Sequence, residues 1–107
     1  MKILLDESLP TKLAEYIVKA HSVSTVRDMN WLGKKNGELL LLIVENSFEV
    51  FVTADKNLPY QQNLKEIPFT IAILRGVDNR QQTYISLIPK LLDLLENPEL
   101  PKIIEIF

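Results

Sequence analysis

Three short runs in this chain are apolar almost from end to end: Ile3 to Leu5, Val50 to Val52, and Phe69 to Leu74, the last broken only by Thr70. Strands become uniformly apolar when both faces of their sheet are covered, as in parallel sheets flanked by helices. Helix-like patterns separate these runs, which makes the alternation the strongest constraint on the fold.

Read in order, Lys2 to Leu5 is the first strand. A helix is expected to begin near Pro10, whose missing N–H costs little at a helix start, and to run through Ala20. Its apolar stripe is Leu9, Leu13 and Ile17, with Ala14 and Val18 beside it. Ser22 to Val26 alternates polar and apolar residues and reads as a second strand, followed by a loop from Arg27 to Lys35. Asn36 is the expected N-cap of a middle helix, with Glu38 in the first turn. Leu39 to Glu45 is apolar on most faces, which predicts burial.

Val50 to Thr53 is the third strand, Pro59 to Leu64 a short helix and Phe69 to Leu74 the fourth strand. Arg80 to Glu96 is a long helix with Ile85, Ile88, Leu91, Leu92 and Leu95 facing inward. Pro89 either kinks it or marks its start. Lys102 to Ile106 closes the sheet. The expectation is an α/β fold, three layers (α/β/α), with a mostly parallel sheet of about five strands.

Length and composition narrow the remaining choices. At 107 residues the chain is expected to form one domain, spanning 1–107, with a core able to fold alone. No apolar run is long enough for a membrane helix, and Asp6 and Glu7 interrupt any signal-peptide pattern, so no membrane partner is expected. The absence of cysteine removes disulfides and thiolate zinc sites and fits a cytoplasmic protein. A net charge of −2 gives no general attraction for nucleic acid, so such contact needs a local patch or a metal bridge. The chain has no P-loop, dinucleotide glycine pattern or nucleophile elbow.

What remains is acidic. Asp6 follows the first strand directly and Asp55 follows the third, both at strand carboxyl ends, where parallel sheets bind ligands. Carboxylates converging there suit Mg²⁺ or Mn²⁺, which prefer oxygen ligands. The plain alternative makes both residues turn formers, with Ser8 sharing the work of Asp6 and Asn57 that of Asp55. Thr53 is placed to orient the Asp55 carboxylate by a hydrogen bond, and Lys56 to neutralise a phosphate. Taken alone, Glu38 reads as a helix-dipole partner, and Asp28 as a further ligand or an ion-pair partner of Arg27. His21, the only histidine, reads as a residue at a helix C-terminus. Trp31 reads as a cover for the core edge, with base stacking as the alternative. Tyr60 to Asn63 is a polar stretch beside Asp55 that reads as a substrate contact or a solvated helix face.

Taken together, Leu4-Leu5-Asp6-Glu7-Ser8-Leu9-Pro10, Ser24-Thr25-Val26-Arg27-Asp28, Asn36-Gly37-Glu38 and Thr53-Ala54-Asp55-Lys56-Asn57 resemble the compact single-domain PIN-like family of nuclease toxins from toxin–antitoxin systems. The resemblance covers residues 1 to about 96 in order and spacing. It implies a metal-dependent endoribonuclease carrying Mg²⁺ or Mn²⁺, with Asp6, Glu38 and Asp55 as catalytic ligands and Asp28 as a fourth. Such an ion lowers the pKa of bound water and stabilises charge on the scissile phosphate. It further implies that Asn36 and Asn57 orient water or phosphate and that Lys56 or Arg75 steadies the phosphate. RNA as substrate, a small antitoxin as partner and a homodimer also follow from it.

This chain departs from the family where acids are usual, carrying Asn36 at the helix opening and Asn57 after Asp55-Lys56. Amide oxygens bind Mg²⁺ without supplying charge, which favours an alternative: a weak or inactive scaffold that binds protein or RNA. A receiver-type phosphoacceptor is a third reading, because Asp6-Glu7 and Asp55 imitate its acidic pocket. It needs a hydroxyl residue after the fourth strand and a lysine after the fifth. The fourth strand here runs into Arg75-Gly76, and Lys102 precedes the fifth.

Overall fold

The computed structural model describes residues 1–58 and 67–107. Among these residues eight elements follow in order: β1 (Lys2–Leu5), α1 (Leu13–Ile17), β2 (Ser22–Thr25), α2 (Asn36–Glu45), β3 (Val50–Thr53), β4 (Thr70–Leu74), α3 (Gln81–Leu95) and β5 (Ile103–Ile106). The five strands form one all-parallel sheet in the order β2-β1-β3-β4-β5. The expected short helix over 59–64, and with it the polar stretch Tyr60 to Asn63, lies outside the described residues.

Period-two alternation divides the buried strand residues between two cores. Ile3, Leu5, Val50, Val52, Ala72 and Leu74 face Leu13 and Ile17 of α1 and Leu87, Ile88, Leu91 and Leu95 of α3. Leu4, Phe51, Ile71 and Ile73 face the other way, onto Leu39, Leu40 and Ile43 of α2 with Phe48 and Phe69. The sheet is therefore covered on both sides, which explains why β1, β3 and β4 are apolar without alternation. The α/β/α layering is as expected.

Strand boundaries fall within one residue of the sequence reading, but the helices differ more. α1 stops at Ile17, and residues beyond it continue only as turns, with the amides of Ala20 and His21 both bonded to the Ile17 carbonyl. Val18 is exposed, so nothing apolar holds a further turn against the sheet. Asn36 does not cap α2. It is the first helical residue, and Lys35, in extended backbone, is the N-cap and takes the Leu39 amide at 2.8 Å. Only one face of α2 is buried: Leu41 is 65% exposed and Val44 42%, because a single helix layer covers this side of the sheet.

In α3 the inward stripe is Tyr84, Leu87, Ile88, Leu91 and Leu95, with Ile85 and Leu92 half-buried on its flank. Pro89 lies within α3, on its exposed side, and does not mark its start. Asp78 sits before α3, where its carboxylate accepts from the Arg80 amide at 3.0 Å and the Thr83 hydroxyl at 2.6 Å. Those bonds, chiefly that from Thr83 and then that from Arg80, hold Asp78 below the usual aspartate range. Among the described residues, no helix is long and apolar enough to cross a membrane.

Candidate functional site

Strand order decides where the candidate residues meet. The chain proceeds from β1 outward to β2, then returns to the far side of β1 to add β3. The order therefore reverses between β1 and β3, and the crevice outside their carboxyl ends is the favoured ligand position in such sheets. Asp6 leaves β1 at that point and Asp55 leaves β3. The Asp6 amide still bonds the Val52 carbonyl at 2.9 Å, which ties the residue to the neighbouring strand.

The Asp6 carboxylate is held from three directions. Its Oδ2 accepts from the Thr53 hydroxyl at 2.7 Å and from the Ser8 hydroxyl at 2.8 Å, and its Oδ1 accepts from the Glu7 amide at 2.9 Å. Each hydroxyl in turn accepts from a backbone amide at the exit of β3: Ser8 from Ala54 at 3.2 Å, Thr53 from Asp55 at 3.0 Å. Two relays thus run from the β3 turn into one carboxylate oxygen. Hydrogen bonds chained in one direction polarise one another, so each relay reinforces the last bond. Thr53 is fully buried and Asp6 half-buried, which keeps this arrangement partly out of water. Thr53, expected to orient the Asp55 carboxylate, donates instead to Asp6, and only the Asp55 backbone amide reaches its hydroxyl.

Asp55 is less constrained. Its Oδ1 accepts from the Asn57 amide at 3.0 Å, a local turn bond. Among the described residues no hydrogen bond engages its Oδ2, the Asn57 side chain or the Lys56 ammonium.

Of the other candidates, Arg75 lines a cleft with Asp55, Lys56 and Asn57, while Glu38 and Asp28 are engaged by near neighbours. Glu38 is paired with Lys34 at 3.0 Å, one turn back, and its side chain is 57% exposed. Asp28 forms a closed exchange with Thr25: its Oδ2 accepts the Thr25 amide at 2.9 Å, and its own amide bonds the Thr25 hydroxyl at 2.9 Å. That pairing ends β2 and occupies one carboxylate oxygen in a turn. Asn36 lies at the start of α2. Arg75 lies at the exit of β4, where its Nη1 bonds Glu105 at 2.8 Å and its guanidinium stacks on the Phe107 ring at 5.1 Å. His21 precedes β2, at the opposite edge of the sheet, its Nδ1 3.1 Å from the Met1 amino group. Burial, and then that positive charge, lowers its pKa. Trp31 packs edge-on against Phe48, with ring centroids 6.1 Å apart, so it covers the core edge.

Among the described residues, no three His, Cys, Asp or Glu side chains gather closely enough to hold a metal ion. Asp6, Glu38 and Asp55 therefore do not meet as a three-carboxylate cage. The donors around Asp6 and Asp55 are nevertheless all oxygen, and Asp6 carries the outer hydrogen bonds that orient a ligating carboxylate. Mg²⁺ keeps several waters and takes one or two carboxylates plus substrate phosphate. The residues present fit a hydrated ion of that kind better than a protein cage.

The sequence reading placed Glu7 beside Asp6 but missed its contact: its Oε1 accepts the Gly33 amide at 3.3 Å and pins the loop before α2 to the exit of β1. Gly33 adopts a positive φ of 80° there, a conformation that suits glycine. Asn79 and Tyr84, beside Asp55, were also missed. The only sequence signal for them is their position just after the fourth strand, where polar residues commonly form plain turns. No family model, curated protein or solved structure matches the chain.

Proposed function

We propose that this chain is a PIN-like, Mg²⁺- or Mn²⁺-dependent endoribonuclease, the toxin component of a toxin–antitoxin pair. The observation that carries the reading is the Asp6 carboxylate, locked by Ser8 and Thr53 beside Asp55 where strand order reverses. Asp78, a turn acid before α3, is held by two partners within five positions of it. Asp6 has two hydroxyls reaching it, one of them from the neighbouring strand, and both are backed by amides.

In this reading Asp6 and Asp55 hold the ion, and Glu38 and Asp28 stay with their structural partners. The ion supplies Lewis acidity at the scissile phosphate. Lys56 and Asn57 project from the turn beside Asp55 and supply donors to phosphate oxygens. Arg75 reaches substrate only through donors that Glu105 leaves open. RNA as substrate, a small antitoxin and a homodimer complete the proposal.

The second reading, a weak or inactive scaffold that binds protein or RNA, is favoured by one observation. Glu38, the acid left to replace Asn36, is turned to Lys34. The receiver reading has less support, since Lys102 lies before β5, at the edge away from Asp6 and Asp55.

Mn²⁺ titration by calorimetry of the wild type against the Asp6→Asn/Asp55→Asn double variant separates the readings. Binding lost in the double variant, with RNA cleavage lost alongside it, supports the nuclease. Binding without turnover supports the scaffold. No binding up to about millimolar metal, an affinity near −4 kcal/mol, overturns the metal-dependent mechanism.

A further inference from the structure

Beside Asp55 a cleft of about 360 Å³ opens between the exits of β3 and β4. Lys56 and Asn57 line one side, and Arg75, Asn79 and Tyr84 the other. Its far wall is built with some care. Tyr84 is buried against the core, and its hydroxyl donates to Asn79 Oδ1 at 3.3 Å. That bond uses the amide oxygen and leaves the Nδ2 donors uncommitted among the described residues.

Gly76 makes this wall possible. A Cβ there would meet the Asp78 carbonyl oxygen at 2.8 Å and the Tyr84 ring at 3.4 Å, so any larger residue would push the 76–78 turn off the tyrosine. The cleft thus presents an ammonium and an amide on one side and an amide with free donors on the other. Among the described residues its one carboxylate is Asp55. Donors on two walls suit an acceptor-rich, anionic ligand. A concave cleft of this size takes one splayed nucleotide, whereas a duplex presents its phosphates on a convex surface.

We propose that this cleft seats the nucleotide next to the scissile phosphate of a single-stranded RNA. Lys56 and Asn79 Nδ2 bond phosphate and sugar oxygens, and Tyr84 is a positioning residue that sets the Asn79 amide. The assignment rests on the reading of Asp6 and Asp55 as the reacting centre, and it extends the substrate contacts to a wall that faces Asp55.

The test is fluorescence anisotropy with a short labelled single-stranded RNA in EDTA, which removes the ion the reaction needs and leaves the RNA intact. Asn79→Asp places an acceptor where donors stood, and is expected to weaken RNA binding about tenfold. Tyr84→Phe is expected to weaken RNA binding less, because Asn79 remains but its amide is free to flip. Lys56→Glu, at an exposed turn position with no packing role, gives the same loss as Asn79→Asp without a folding concern.

Wild-type RNA affinity in both Asn79→Asp and Lys56→Glu, or equal affinity for the corresponding duplex, overturns the assignment. If Mn²⁺ fails to bind while RNA binding still depends on Asn79 and Lys56, the cleft assignment holds as a binding site and the nuclease reading falls. If Mn²⁺ binds and both variants hold RNA normally, the reverse follows.

Discussion

Thr53→Val tests whether the Asp6 site is built as described. The substitution keeps the branched shape of a fully buried residue and removes only its hydroxyl. Two close bonds are lost, the donation to Asp6 Oδ2 at 2.7 Å and the acceptance from the Asp55 amide at 3.0 Å, together with a 3.4 Å contact to the Ser8 hydroxyl. A bond to a charged acceptor contributes about 1.5–3 kcal/mol and one between neutral groups about 0.5–1.5 kcal/mol. Burying an extra methyl returns about 0.8 kcal/mol, and Ser8 still holds Asp6. The expected net loss is about 2 kcal/mol, equivalent to a fall of roughly 8–16 °C in Tm for a domain of this size.

Urea unfolding followed by Trp31 fluorescence measures it, because the single tryptophan packs against Phe48 and reports the loss of tertiary contact. EDTA in the buffer removes any contribution from bound metal. The cycle with Asp6→Asn isolates the pair, with an expected coupling above about 1 kcal/mol. Thr53→Ser keeps the hydroxyl and should lose only the methyl term, about 1 kcal/mol. A Thr53→Val variant within about 0.5 kcal/mol of the wild type, or strict additivity with Asp6→Asn, would refute the claim that this hydroxyl positions the carboxylate.

Other outcomes follow from the same structure. Pro89→Ala should stabilise the domain by about 1–2 kcal/mol in urea, since proline inside a helix costs about 3 kcal/mol and its loss restores some unfolded-state entropy. Gly76→Ala should destabilise by about 1–3 kcal/mol, because the added Cβ meets the backbone oxygen of Asp78 rather than a side chain that could yield. Asp78 has a lowered folded pKa, so its contribution is present above the unfolded aspartate value and fades as pH falls through the folded one. Thermal melts should therefore show wild type above Asp78→Asn at neutral pH, the gap closing below about pH 4. A gap that stays constant with pH would contradict the assignment of Asp78 as the acceptor before α3.

The fold was largely legible in the sequence, because burial on both faces leaves a signature that needs no partner to interpret. Ile3 to Leu5 and Val50 to Val52 are apolar at every position, as strands covered on both faces of a parallel sheet are, and the helix-like stretches between them complete the signal. Helices are less legible where apolar residues exceed one stripe. In α3, Ile85 and Leu92 fit the period as well as Tyr84 and Leu87 do, and the docking angle chose between them. In α2, Leu41 looks like core in the sequence and faces outward in the structure.

The candidate site divides in the same way. The chain itself placed Asp6 and Asp55 immediately after buried strands, because apolar runs ending in an acid are a local fact. Strand order put those two ends side by side, and order depends on which strands pair, a property of contacts distant in sequence. Glu38 and Asp28 show the converse. Both are acids near strand or helix ends, yet each is claimed by a neighbour at short range, Lys34 and Thr25, before it can reach the crevice. Asn79 and Tyr84 carry no signal of their own, and only the fold of the turn at Gly76 sets them opposite Lys56. Sequence alone determined which residues stand at strand ends, because burial is written locally. The tertiary structure decided which of them face one another, because hydrogen bonds over more than forty residues, such as Thr53 to Asp6, exist only once the sheet is assembled.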